Sequence, residues 1–161
     1  MTRIFDEDNP AESFQELISL LSSDPDNAYP GGVSEDDIRE PEEELAATFP
    51  SEYVQFMQNL GGGNFRHVRI YSITSEDETF ANFMEQVTVC TQCIPLVLSG
   101  DLLPFADDYE GNIFCFNLSH ARDSEYEIVL WKSEFEDDDE PQHIAFSFSE
   151  FLEKMELKSR T

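Results

Sequence analysis

The sequence predicts an α+β domain in which about five helices pack against one mostly antiparallel, twisted sheet of about five or six strands. Helix signals fill the first half of the chain and strand signals the second half, with one more helix at the end. Such segregation is typical of α+β proteins, since α/β proteins alternate the two elements. The chain has 161 residues, enough for one buried core and too few for two, so residues 1–161 are expected to form a single domain.

Four of the predicted helices begin with a capping residue that precedes apolar positions at helical spacing. The first spans about residues 10–22, and the second follows Ser34. Pro41 lies inside the second helix, where proline removes a hydrogen bond, so we expect a kink or a restart there. Another helix is expected to begin at Ser75, and the last one follows Ser147.

Apolar residues define how two of these helices are expected to pack. The last helix is predicted to start with a hydrophobic staple, a contact between Phe146 and Phe151 across its first turn. The helix that begins at Ser75 has a periodic apolar face formed by Phe80, Phe83, Met84 and Val87. We therefore expect both helices to cover the sheet.

Three consecutive glycines, Gly61 to Gly63, follow the remaining predicted helix. Its apolar face, at spacing i, i+3, i+4 and i+7, consists of Tyr53, Phe56, Met57 and Leu60. Phosphate-binding loops place their glycines before a helix, where free N–H groups and the positive end of the dipole face the anion. Here the glycines come after the helix. Gly61 is therefore predicted to end it in the left-handed conformation.

The second half of the chain contains short β-branched or aromatic segments bounded by turn residues. The predicted strands are residues 68–73, 102–106, 113–118, 127–131 and 143–146. Residues 113–118 are apolar on both faces, so this strand is expected in the centre of the sheet. Residues 107–112, with a glycine at position 111, are predicted to form the hairpin connection before it.

The chain is strongly acidic, with 35 acidic against 9 basic side chains and a formal net charge of −26. Such a surface repels nucleic acid and anionic lipid headgroups, so neither is expected as a partner, and it attracts basic proteins. The alternative that the charge only keeps the protein soluble stays open at this point. The N-terminus lacks an apolar leader and no stretch approaches 18 apolar residues, so a cytoplasmic location is expected.

Motifs for catalysis or cofactor binding have no supporting context in the sequence. Cys90 and Cys93 form one C-x-x-C pair, but zinc needs two further ligands, so these residues and Cys115 are expected to be buried structural thiols. The three histidines, expected at strand ends or in loops, are His67, His120 and His143. We therefore expect no catalytic residues, no metal site, no cofactor and no enzymatic activity.

Several motifs, in their order along the chain, resemble those of the SMI1/KNR4 family of the SUKH superfamily. The matching residues are Val33-Ser34 through Ile38, Glu43-Glu44-Leu45, Phe49-Pro50-Ser51-Glu52-Tyr53, Leu60-Gly61-Gly62-Gly63, Leu103 to Asp107 with Gly111-Asn112, and Ala145 to Leu152. Together they define a motif-bearing core over residues 33–155. The resemblance implies a binding protein, since no catalytic group is associated with this family.

Bacterial members of the family are regarded as immunity proteins, whereas fungal relatives act as regulatory hubs. The resemblance therefore implies a cytosolic immunity protein that binds and neutralises a cognate polymorphic toxin, with a basic nuclease domain as the expected partner. The alternative is an intracellular scaffold or regulatory protein-binding module that has no link to a toxin. Both functions require binding to a partner protein, and neither requires catalysis.

Acidic residues in two predicted loops are the expected contacts for a basic partner, with one tyrosine as an aromatic anchor. These candidates are Asp107, Asp108, Tyr109, Glu110, Glu136, Asp137, Asp138, Asp139 and Glu140. All of them are expected to be exposed. For any single residue, an ordinary solvated turn is the alternative.

Overall fold

The chain forms six helices and one open, six-stranded antiparallel sheet in a computed structural model that describes residues 10–73, 79–122, 125–132 and 140–159. The predicted α+β class is confirmed. The helices are α1 (Pro10–Ser23), α2 (Glu35–Leu45), α3 (Ser51–Asn59), α4 (Phe83–Cys93), α5 (Pro95–Leu98) and α6 (Phe148–Ser159). The strands are β1 (Gly63–Asn64), β2 (Arg69–Ile70), β3 (Leu102–Asp107), β4 (Ile113–Arg122), β5 (Glu125–Trp131) and β6 (Gln142–Ala145).

The six strands lie side by side in chain order, and every neighbouring pair is antiparallel. Strand β4 lies between β3 and β5, with Phe116 opposite Leu103 on one side and Ile128 on the other. This is the central position predicted for residues 113–118. Because side chains alternate between faces, Phe116 and Cys115 enter different hydrophobic clusters.

The larger cluster lies on the first face of the sheet, beneath α1, α3 and α6. The rings of Phe105 and Phe116 stack there with their centroids 4.1 Å apart, and Tyr53 meets Phe116 edge-on at 5.1 Å. The smaller cluster, on the second face, consists of Cys90, Ile94, Val97, Leu102, Cys115 and Val129. Thus α5 and the end of α4 cover part of the second face.

Helix α2 begins at the predicted cap, and of the two expectations for Pro41, a kink or a restart, the restart is wrong. The Ser34 hydroxyl accepts a hydrogen bond from the N–H of Asp37, whose carboxylate accepts one from the Ser34 N–H. The helix then continues through Pro41 to Leu45. Pro41 and Ile38 are both buried, so packing of the apolar face offsets the hydrogen bond that proline removes.

Gly61 follows α3 with φ of +78°, which confirms the prediction of a left-handed residue after this helix. A second constraint acts at the same position. A Cβ atom on Gly61 would lie only 2.0 Å from the carbonyl oxygen of Gly31. Glycine is thus required both by the backbone conformation and by the close approach of a neighbouring loop.

The helix predicted to begin at Ser75 begins later, at Phe83. Residues 74–78 lie outside the described part of the chain, and Phe80 lies in a turn before the helix. Asn82 is the cap, because its side-chain oxygen accepts a hydrogen bond from the N–H of Glu85 at 3.0 Å. The helix also extends to Cys93, so the C-x-x-C pair lies within its last turn.

Helix α6 begins as predicted, since the Ser147 hydroxyl accepts a hydrogen bond from the N–H of Glu150 at 3.2 Å. The expected staple is wrong, because Phe146 is 62% exposed whereas Phe151 is fully buried. The ring of Phe146 contacts His143 instead, with centroids 4.4 Å apart. Phe146 therefore belongs to the surface near β6.

Candidate functional site

Residues 107–112 form the predicted hairpin connection between β3 and β4, and we call them the acidic hairpin. Asp107 is the last residue of β3 and lies opposite Ile113 of β4. Gly111 has φ of +90°, the left-handed conformation expected of a turn glycine. Four of the nine residues proposed as partner contacts belong to this hairpin.

Asp107 is only 4% exposed, so the expectation that it lies on the surface is wrong. It lies opposite Arg69 of β2 in the sheet, and its Oδ2 accepts hydrogen bonds from Arg69 Nη2 at 2.6 Å and the Tyr71 hydroxyl at 3.1 Å. Burial lowers the pKa of Arg69, but the hydrogen bond and charge of Asp107 outweigh this and raise it above its ordinary value. The carboxylate of Asp107 therefore joins β2 to β3.

Asp108 stays partly exposed, but its carboxylate is bound within the loop. It accepts hydrogen bonds from the N–H of Glu110 at 2.9 Å, the N–H of Asn112 at 3.2 Å and the Asn112 side-chain amide at 2.8 Å. Burial alone would raise the pKa of Asp108, but these hydrogen bonds lower it below its ordinary value. Asp108 thus carries a stable negative charge at neutral pH.

Tyr109 is 48% exposed and has φ of +67°, an uncommon conformation for a residue other than glycine. Its hydroxyl donates a hydrogen bond to the carbonyl of Phe65 at 2.7 Å and its N–H donates one to Asp107 Oδ1 at 3.0 Å. The tyrosine is therefore tied to the β1–β2 loop. Glu110, next to it, is exposed.

Glu140 is the only member of the second predicted acidic loop within the described part of the chain, and it is exposed. Glu136, Asp137, Asp138 and Asp139 lie outside the described residues. Glu140 lines a groove on the second face of the sheet that the sequence reading missed. We call this feature the acidic groove.

The acidic groove lies on the second face of the sheet beside α5, whose Leu96 lines it, and it has a volume of about 540 Å³. Its main lining residues are Asp101, Glu127, Glu140, His143, Leu102 and Val129. Two of these, Leu102 and Val129, are buried residues of the smaller hydrophobic cluster and form an apolar floor. The three carboxylates surround that floor.

Hydrogen bonds fix the orientation of two groove carboxylates. Glu127 Oε1 accepts a hydrogen bond from the side-chain amide of Asn117 at 2.9 Å, and Glu127 Oε2 lies 2.6 Å from His143 Nδ1. Asp101 Oδ2 accepts one from the Ser99 hydroxyl at 2.7 Å. These neighbours hold the two carboxylates in place in the lining of the groove.

The pattern of apolar and polar residues along β4 and β5 is a weak sequence signal for the groove. On β4 the apolar Cys115 is followed two residues later by Asn117, and on β5 Glu127 precedes Val129 by the same interval. Because the side-chain period of a strand is two, each pair lies on one face. The change from apolar to polar side chains along that face indicates where the helices stop covering it.

The described thiols and histidines lie at different places in the fold. Cys90 and Cys115 are buried, and burial, with Cys93 and Asp107 nearby, raises the pKa of Cys90 to about 11. Cys93 is exposed, which corrects the expectation that all three thiols are buried. His67 lies in the β1–β2 loop, whereas the side chain of His120 lies outside the described residues. Within the described chain, no three metal-ligating side chains lie close enough together to hold an ion.

Together these features define an acidic α+β protein with an open antiparallel sheet and two acidic surface features. The chain belongs to the SMI1/KNR4 family (SUKH-1), whose family model matches residues 32–154. This confirms the family that the motif order suggested. Membership supports an immunity-protein-like role at the level of the family.

Comparison with solved structures supports the same fold. A crystal structure of a protein from Pseudomonas syringae pv. tomato matches with a TM-score of 0.55 and 19% sequence identity, over 74% of this chain and 83% of that one. A search of curated proteins found no match. Among the described helices, none has both the length and the apolar character needed to span a bilayer.

Proposed function

We propose that this chain is a cytoplasmic immunity protein that binds and neutralises a cognate polymorphic toxin carrying a basic nuclease domain. The match of residues 32–154 to the SMI1/KNR4 family is the observation that carries the proposal. The acidic surface adds physical support, because a nuclease must present basic residues to phosphate groups and an acidic protein can occupy the same surface.

Neutralisation in this proposal is binding without catalysis. A formal net charge of −26 steers a basic partner toward the chain over long range, which speeds capture before the toxin reaches nucleic acid. The association rate is therefore expected to fall as the salt concentration rises.

In this proposal the contact residues at the hairpin are those with exposed groups, namely Asp108, Tyr109 and Glu110. Asp107 has a positioning role there, because its carboxylate is bound to Arg69 and Tyr71. The run from Glu136 to Glu140 remains the second proposed contact on the strength of its charge.

The proposal predicts that a toxin domain is encoded beside this gene, and co-expression with that domain tests it. Cells that express the toxin domain alone should stop growing, and cells that also express this chain should survive. The two proteins should co-purify from the surviving cells. Survival without a complex, or a complex without rescue, contradicts neutralisation by binding. A complex with an unrelated protein and no effect on the toxin would favour the scaffold alternative.

A further inference from the structure

We propose that the acidic groove is the docking site for a basic loop of the partner protein, which enters it with an arginine or lysine side chain. This inference rests on the proposed function for the identity of the partner, but the chemistry of the groove can be tested without it.

The groove is an uncovered part of the sheet. Cys115 and Val97 belong to the hydrophobic cluster beneath α5, whereas Asn117 and Glu127 line the groove beside that helix. Leu102 and Val129 lie at the boundary, buried in the cluster and also lining the groove. An entering side chain would therefore find an apolar floor beside charged walls, which suits the aliphatic stem and charged head of arginine or lysine.

The negative charge of the groove favours a basic side chain as its occupant. Asp101, Glu127 and Glu140 line the groove, and no lysine or arginine is among its described lining residues. Two of the carboxylates are already oriented, Glu127 by Asn117 and His143 and Asp101 by Ser99. Groups held in place lose little freedom when a partner binds.

Size favours a polypeptide segment over a single ion. A volume of about 540 Å³ is far larger than a single ion or water molecule needs. Among the described residues, no group of three metal-ligating side chains could hold an ion. Distributed negative charges around an apolar floor instead match alternating basic and apolar side chains.

An aromatic residue beside the groove adds a second kind of contact. Phe146 is 62% exposed, and its ring packs against His143, which lines the groove. An exposed aromatic ring next to carboxylates can contact the apolar or cationic part of an incoming side chain. The exposure of Phe146 thus contributes to the same surface.

Nuclear magnetic resonance titration of the full ¹⁵N-labelled chain tests this inference with a blocked peptide of alternating arginine and leucine. Amide shifts should concentrate at Asp101, Leu102 and residues 127–129. The same peptide with citrulline in place of arginine keeps the shape without the charge and should bind much more weakly. Equal binding of the two peptides, or shifts confined to the acidic hairpin, would overturn the proposal.

Two variants with equal charge changes separate the groove from net charge. The groove variant carries Asp101→Asn, Glu127→Gln and Glu140→Gln. The control carries Glu40→Gln, Glu43→Gln and Glu44→Gln, three exposed positions on α2. The groove variant should bind the arginine peptide about fivefold to thirtyfold more weakly, because three screened ion pairs are lost. The control should stay within about twofold, and an equal loss in both variants would overturn the proposal.

A further variant guards against a folding defect. Asp101 and Glu140 are both exposed, so the double variant Asp101→Asn/Glu140→Gln should keep the thermal midpoint of the wild type. It should still weaken peptide binding by about twofold to tenfold, and unchanged binding would count against the groove.

The results also separate this inference from the proposed function. Peptide shifts at the groove without rescue in co-expression would refute the immunity role and keep the basic-segment site. Rescue that persists in the groove variant, with no peptide binding, would refute the groove and keep the immunity role.

Discussion

Acidic residues at the two ends of the β3–β4 strand pair are used in different ways. At the acidic hairpin, the carboxylates of Asp107 and Asp108 bind groups of the chain itself and hold the turn. At the acidic groove, Asp101 and Glu127 also accept hydrogen bonds from side chains of the chain, but these two carboxylates and Glu140 line a cavity of about 540 Å³. The comparison teaches that a count of acids does not locate a binding site, because the chain uses some of its own charges to fold.

The largest effect should come from Asp107→Ala, because Arg69 and the Tyr71 hydroxyl would lose a buried partner. We expect the free energy of unfolding to fall by about 2–4 kcal/mol, measured by urea denaturation. Glu110→Ala, an exposed change in the same hairpin, should stay within about 0.5 kcal/mol. Similar values for the two variants would remove the distinction between structural and free hairpin acids.

A smaller effect is expected from Tyr109→Phe, which keeps the ring and removes the hydroxyl that donates to the Phe65 carbonyl at 2.7 Å. The loss should be about 1 kcal/mol in the free energy of unfolding. Tyr29→Phe is a matched control, since the Tyr29 hydroxyl makes only a long, exposed contact of 3.4 Å. If both changes are neutral, Tyr109 does not anchor the hairpin to the β1–β2 loop.

The smallest expected effect is the contribution of Asp108 to the change of the free energy of unfolding with pH. Its pKa in the fold lies below the ordinary 3.8, so the ionised group stabilises the fold above that value. The contribution is lost as the pH falls through the lowered pKa. Asp108→Asn should therefore be less stable than wild type above about pH 4, by up to about 1 kcal/mol, and the difference should shrink in more acid solution.

Urea denaturation at a series of pH values measures this difference directly. A gap between wild type and Asp108→Asn that grows toward acid pH would have the wrong sign for a carboxylate stabilised by Asn112.

Local signals in the sequence predicted the parts of the fold that depend on local chemistry. The Ser34 cap needs only residues three positions apart, and Gly61 needs only the end of its own helix. The start of α4 shows the limit of such signals. Both Ser75 and Asn82 precede a glutamate by three residues, and the choice between them depends on packing that the pattern does not contain.

The acidic hairpin and the acidic groove show that local sequence signals also have a limit in predicting functional residues. The burial of Asp107 depends on Arg69, which is 38 positions away in the chain and meets it only through strand register. The acidic groove draws residues from β3, β4, β5 and β6. The residues that line the groove could be identified only once the order of the strands and the part of the sheet covered by α5 were known.

The most direct test of the account is isothermal titration calorimetry of the toxin domain with three forms of this chain: wild type, the groove variant and the α2 control. We expect wild type to bind, with an affinity that falls as salt is raised. The groove variant should bind at least about fivefold more weakly than the α2 control. Equal affinities of the two variants would contradict the claim that the groove, and not overall charge, holds the partner.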